Sequence, residues 1–136
     1  MNNAELIKLA LEAREKAYSP YSCFAVGAAL LCKNGKVFTG CNIENSGYSA
    51  TNCAERTAFF KAVSEGETEF DKIAVVGGNA KDKAPADYCP PCGICRQVMR
   101  EFCDAEFEIL IAKSETDYKT ATLADLLPMS FDKRDF

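Results

Sequence analysis

Cys53, Cys92 and Cys95 stand at or near the starts of two stretches of helical periodicity, and Glu55 follows the first thiol by two positions. Cys53 opens one helix and Pro91-Cys92-Gly93-Ile94-Cys95 opens the other. The unpaired N–H groups and positive dipole end of a helix N-terminus favour thiolate over thiol. Soft thiolate ligands select zinc among the abundant divalent metals, and three of them leave the fourth tetrahedral position open. An open position marks a catalytic zinc, which makes water acidic enough to act as a nucleophile near neutral pH. Glu55, next to a ligand yet pointing elsewhere on the helix, is placed to carry protons without binding the metal.

Three thiolates on a dication leave a net charge of −1, so such a centre needs a positive counterweight. The two helix N-termini supply part of it, and Arg56 can donate hydrogen bonds to sulfur. Other uses of these thiols remain open at this point. Cys89 and Cys92 form a second, overlapping Cys-x-x-Cys pair, and a fourth thiol from Cys89 or Cys41 would close the tetrahedron into an inert structural site. Cys92-Gly93-Ile94-Cys95 at a helix start could also serve thiol–disulfide exchange, although that would leave Cys53 and Glu55 without a role.

The chain holds no histidine among its 136 residues, which removes imidazole catalysis and every mixed Cys/His metal site. Its eight cysteines follow no signal-like apolar start, so they are expected to be reduced thiols. Cys32, Cys41 and Cys103 lie in apolar patterns that suit packing. A formal charge of −4 with scattered Lys and Arg is a poor footprint for nucleic acid. No apolar run approaches the roughly 18 residues of a membrane span, so a cytoplasmic protein acting on small molecules is expected.

A single domain over residues 1–136 suits this length, with no repeat or linker. Asn3 to Tyr18 repeats Leu6, Leu9, Ala10, Ala13 and Ala17 on one helical face. Two β-capable runs flank Asn34-Gly35, a strong hairpin signal. The Cys53–Glu65 helix is expected to take Thr51 or Asn52 as its N-cap and to stop at Gly66. A strand over Lys72–Gly78, a helix over Cys92–Cys103, a strand over Phe107–Ala112, a weaker strand near Tyr118–Ala121 and a short helix over Leu123–Leu127 follow. This alternation predicts an α/β protein in three layers, α/β/α, around a mixed sheet of about five strands.

Cys-x-Glu followed by Pro-Cys-x-x-Cys is the zinc deaminase signature with cysteine in place of histidine. Together with Gly40-Cys41-Asn42-Ile43-Glu44-Asn45, Tyr48, Asn52-Cys53-Ala54-Glu55-Arg56-Thr57, Pro91-Cys92-Gly93-Ile94-Cys95-Arg96-Gln97 and Leu126-Leu127-Pro128-Met129-Ser130-Phe131, it resembles the small, homotetrameric, three-cysteine cytidine deaminases across essentially the whole chain. The resemblance implies one zinc per subunit on Cys53, Cys92 and Cys95, with Glu55 as proton shuttle and Cys89 as a spare thiol. It further implies that Asn42 and Glu44 hydrogen-bond the ribose, Phe24 packs on the base, and the Ala54 amide meets the base carbonyl. Tyr48 and Phe131 would reach into a neighbouring subunit's pocket. The implied activity is hydrolysis of cytidine and deoxycytidine to the uridine nucleosides and ammonia in pyrimidine salvage, with a related aminopyrimidine nucleoside as the alternative substrate. The loop Asn79–Tyr88 is longer than is usual in that family.

Overall fold

Asn34 and Gly35 reverse the chain between β1 (Phe24–Cys32) and β2 (Val37–Cys41), which pair antiparallel with Leu31 opposite Val37. Gly35 sits at φ +94°, a left-handed conformation that costs glycine little because it lacks a Cβ. A computed structural model describes residues 1–136 and sets this hairpin in a five-stranded sheet of order β2-β1-β3-β4-β5, with β3 at Phe70–Asn79, β4 at Glu108–Ala112 and β5 at Tyr118–Thr122. β3 and β4 run parallel, while the other neighbours pair antiparallel.

Four α-helices accompany the sheet: α1 (Asn3–Arg14), α2 (Ala54–Ser64), α3 (Gly93–Phe102) and α4 (Leu123–Leu126). On one face, Leu6, Ile7 and Ala10 of α1 pack on Ala29, Leu31, Ala74, Val76 and Leu110. On the other, Ala58, Phe59 and Ala62 of α2 and Cys95 and Met99 of α3 pack on Leu30, Ile73, Val75 and Ile109. Alternate residues of each strand thus feed two separate cores, and the expected three-layer, mixed-sheet architecture is the one observed.

Two expectations need correction. α1 ends at Arg14, short of Tyr18, because the Tyr18 N–H donates to the Asn42 carbonyl in an isolated bridge to residue 43 that demands extended backbone. Its buried face includes Ile7 and Arg14, beyond the stripe read from the sequence. The N-cap of α2 is Cys53 itself. Asn52 instead donates to the Thr57 hydroxyl, and the Thr51 hydroxyl accepts from the Asn45 N–H. Cys32 and Cys103 are buried as expected of packing thiols, whereas Cys41 is half-buried and its thiol donates to the Lys16 carbonyl. No helix is long and apolar enough to cross a membrane.

Gly40 lets α2 lie close on β2: a Cβ there would stand 2.3 Å from the Ala54 carbonyl oxygen and 2.6 Å from the Ala58 nitrogen. Both neighbours are backbone, so a substituted chain must shift the helix that carries Cys53 and Glu55. Gly40→Ala should therefore cost about 2 kcal/mol or more in denaturant unfolding. A loss of bound zinc should accompany it, and an unfolding midpoint equal to that of the unsubstituted protein would contradict this close approach.

Candidate metal centre

Cys53 and Cys92 are the N-cap residues of α2 and α3, and both have extended backbone (φ −79° and −69°). Neither thiol caps its own helix, so each Sγ is free to turn outward. Cys95 lies in the first turn of α3, buried at 1% exposure. The Cys92 Sγ is 3.6 Å from the Cys53 Sγ and 3.5 Å from the Cys95 Sγ, and all three sulfurs lie within 4.8 Å of one another. Zinc–sulfur bonds of about 2.3 Å in a tetrahedron place ligand sulfurs about 3.8 Å apart. The donor set therefore fits zinc in both chemistry and spacing.

Neither Cys41 nor Cys89 joins the three converging sulfurs, which leaves the closed structural site without its fourth ligand. Cys89 packs behind the centre, where its Sγ lies 2.7 Å from the place a Cβ on Gly77 would occupy. Burial, reinforced by the negative charge of Glu55, pushes this thiol up to about 11, so it stays protonated at neutral pH. The register Cys92/Cys95, with Cys89 as a spare, is the one the geometry adopts.

Without metal, the three thiols share protons unequally. The neighbouring Cys95 thiol, then the donation from Arg56, brings Cys53 well below the usual thiol range against the opposing effect of burial. Cys95 is pushed up by the neighbouring Cys53 sulfur and by burial. A dication at their centre requires all three as thiolates and expels the remaining protons. Arg56 Nη2 donates to the Cys53 Sγ at 3.2 Å, which sets a positive charge beside that sulfur.

Glu55 is only 4% exposed, one residue inside α2 from its first position. Burial above all raises its carboxyl to about 7, and the negative charge of the Cys53 thiolate adds to this. A carboxyl tuned near neutrality can both accept and return a proton at working pH. Ala54, fully buried, is the first residue of the same helix, where N–H groups lack intrahelical acceptors.

The residues implied for substrate contact divide into groups. Asn42 is buried and stitches β1: its Oδ1 accepts from the Val26 N–H at 2.9 Å and its Nδ2 donates to the Phe24 carbonyl at 2.8 Å. One further amide hydrogen and one lone pair are left for a ligand. Glu44 accepts from the Tyr21 and Ser22 N–H groups and from the Ser22 hydroxyl. Those hydrogen bonds, led by the Ser22 hydroxyl, hold it below the usual carboxylate range. With Tyr21, Ser22, Asn45, Tyr48 and Thr51, it lines a cavity of about 360 Å³. Phe24 is 42% exposed rather than core, and its Cε2 stands 3.1 Å from the Cβ position of Gly77, next to Cys89.

Tyr48 and Phe131 are 80% and 58% exposed, as side chains not consumed by this chain's own core. Phe131 meets Phe136 edge-on at 5.5 Å, and its carbonyl accepts from Gln97. Sequence reasoning passed over what holds this segment: the buried Asp132 carboxylate, paired with Arg100 and Arg134. Acidic residues in a C-terminal segment read as solvated, and only the fold brings Arg100 of α3 against one.

The family model for the cytidine and deoxycytidylate deaminase zinc-binding region matches residues 1–111. The chain is 50% identical over 135 residues to the cytidine deaminase of Sporosarcina psychrophila, covering 99% of this chain and 95% of that one. It is 51% identical over 135 residues to the cytidine deaminase of Halalkalibacterium halodurans, covering 99% and 98%. The crystal structure of cytidine deaminase from Burkholderia pseudomallei superposes with a TM-score of 0.87 at 47% identity, covering 96% of this chain and 100% of that one. Three thiols gathered at two helix starts with a buried glutamate two residues after the first, and a match of this extent, place the chain in the zinc-binding cytidine and deoxycytidylate deaminase family.

Proposed function

We propose that this protein hydrolyses free cytidine and deoxycytidine to uridine and deoxyuridine, releasing ammonia. The observation that carries the reading is Glu55, a buried carboxyl raised to about 7 and two residues along α2 from Cys53, whose sulfur converges with those of Cys92 and Cys95. Bound zinc supplies the Lewis acidity that lets water act as a nucleophile near neutral pH. Glu55 accepts a proton from the attacking water and passes it to the ring nitrogen beside the amine-bearing carbon. As the carbon–nitrogen bond breaks, Glu55 returns the water's second proton to the departing amine, so ammonia leaves and a carbonyl remains.

Arg56 offsets the charge on the Cys53 thiolate through its hydrogen bond to sulfur. The Ala54 amide receives the base carbonyl oxygen, Phe24 packs on the ring, and Asn42 and Glu44 hold the sugar hydroxyls. A carboxylate at that position repels a nearby phosphate, which favours nucleosides over nucleotides and needs neither nucleic acid nor membrane. The full site is that of a homotetramer, in which Tyr48 and Phe131 complete a neighbour's pocket, working in the cytoplasm in pyrimidine salvage.

The ultraviolet absorbance of cytidine incubated with purified protein, with zinc measured on the same sample, tests the reading. Loss of the cytidine band with about one zinc per chain is the expected result for an open three-ligand site. Bound zinc without turnover of either nucleoside would redirect the assignment to another aminopyrimidine nucleoside. Phe131→Ala removes a ring whose burial is worth about 2 kcal/mol, so KM should rise roughly thirtyfold. Unchanged kinetics in a protein confirmed as a tetramer by light scattering would remove Phe131 from the site.

A further inference from the structure

Arg14, at the last turn of α1, is 5% exposed and has no carboxylate partner. Its guanidinium donates only to carbonyls: Nε to Ala25 at 3.0 Å, Nη2 to Asn79 at 2.7 Å, and Nη1 to Asp82 at 3.2 Å and Lys83 at 3.5 Å. A buried charge without a counter-ion is costly unless neutral dipoles are aimed at it. The negative end of the α1 dipole offsets part of that cost. A planar fork of five donors can reach carbonyls on separate segments at once, which a point-like ammonium cannot do.

The segments joined in this way flank Phe24. Ala25 follows it in β1, and Asn79 is its register partner in β3. Just before it, Cys23 lies at φ 59°, a left-handed conformation uncommon for a residue with a Cβ. Its carbonyl accepts the Ala80 N–H at 2.8 Å. Such a conformation persists where the surroundings over-determine it. Here the surroundings are the end of β3 and the loop at 79–83, which Arg14 ties to β1 in addition to the β1–β3 ladder and the Ala80 to Cys23 hydrogen bond. The same loop continues through Pro85, packed 3.0 Å from the Cβ position of Gly78, to Cys89, which faces the Phe24 ring across Gly77.

We propose that Arg14 is a positioning residue for the substrate pocket: its guanidinium ties the start of β1 to the loop at 79–83 and thereby sets the placement of the Phe24 ring against the wall formed by Gly77 and Cys89. This rests on the reading of Phe24 as the residue that packs on the base. Arg14 touches no reacting atom and acts through base placement, so its loss moves KM rather than kcat.

The test compares Arg14→Met, which keeps the apolar stem, and Arg14→Lys, which keeps the charge, with the unsubstituted holoenzyme. The expected result for Arg14→Met is KM for cytidine raised about tenfold or more, kcat changed less than about threefold, and zinc undiminished. Arg14→Lys should fall between the two. An unchanged KM in either folded variant, or a fall in kcat that tracks zinc loss at constant KM, overturns the proposal.

Amide hydrogen exchange keeps the test decisive if Arg14→Met does not fold. In Arg14→Lys, faster exchange at Ala80 and at Phe24–Val26 with α2 and α3 unchanged supports the clamp, and unaltered exchange there overturns it. Exchange needs no turnover, so it tests the clamp even if cytidine is not a substrate, and the unsubstituted enzyme's own activity on cytidine tests that reading separately.

Discussion

Glu55→Gln should abolish turnover while leaving the metal in place. The amide keeps the shape of the carboxyl in a site that is only 4% exposed, and it is not among the three converging thiols. It can neither accept the water's proton nor return it. A positioned acid–base group contributes about 10²- to 10⁴-fold, and Glu55 acts in more than one transfer, so kcat should fall at least about 10³-fold with KM little changed. Turnover within tenfold of the unsubstituted enzyme would end the proton-shuttle assignment.

The same substitution has a signature in the metal-free protein. Burial raises the Glu55 carboxyl from 4.5 to about 7. Below about pH 4.5 the group is protonated in both folded and unfolded chains and costs nothing. As pH rises toward 7 the unfolded chain ionises while the folded chain keeps its proton, so stability is lost through that window. Glutamine does not titrate. The substituted apo-protein should therefore gain on the unsubstituted one with rising pH, by about 3 kcal/mol above pH 7. Parallel stability curves from acid to neutral pH would contradict the burial of a neutral carboxyl.

Cys95→Ser is the second large effect, and Cys89→Ser is its control. Serine replaces a soft sulfur with a hydroxyl that does not ionise at neutral pH, and leaves two thiolates to hold the ion. Zinc should fall well below one per chain after dialysis, and activity should drop at least about 10³-fold, since binding the metal and folding the site are coupled. Cys89, raised to about 11 and outside the cluster, should give a protein with full zinc and near-normal activity as serine. Plasma emission on both dialysed proteins distinguishes the registers. A Cys95→Ser protein that keeps its zinc, or a Cys89→Ser protein that loses it, would overturn the ligand assignment.

How far the site was legible follows from which interactions are local. The ligand pairs, Glu55 and the helices that carry them depend on spacings of two and three residues and on helix starts, all of which a chain displays directly. The Asn34-Gly35 hairpin and the apolar face of α2 are legible for the same reason. The N-cap of α2 falls on Cys53 and not on Thr51 or Asn52, because capping preference favours a polar side chain whereas Asn52 and Thr51 spend theirs on Thr57 and Asn45. Arg14 was invisible as a buried group although it continues the Leu6–Ala10 spacing, since a helical arginine ordinarily meets solvent.

Asn42 and Glu44 show the remaining gap. Their types suggested a polar turn or a sugar contact, but each also holds part of the segment around Phe24 through hydrogen bonds to residues at least 16 positions away. By itself the sequence determined the α/β class and the thiol chemistry that suits zinc, and its short spacings singled out Cys53, the Cys92/Cys95 pair and Glu55 as candidates, because each of these rests on local pattern and side-chain chemistry. Only the tertiary structure decided that Cys89 stands outside the centre, that Glu55 is buried enough to titrate near 7, and that Arg14 meets the loop at 79–83. Those outcomes depend on burial and on contacts between distant segments, which exist only once the sheet has brought them together.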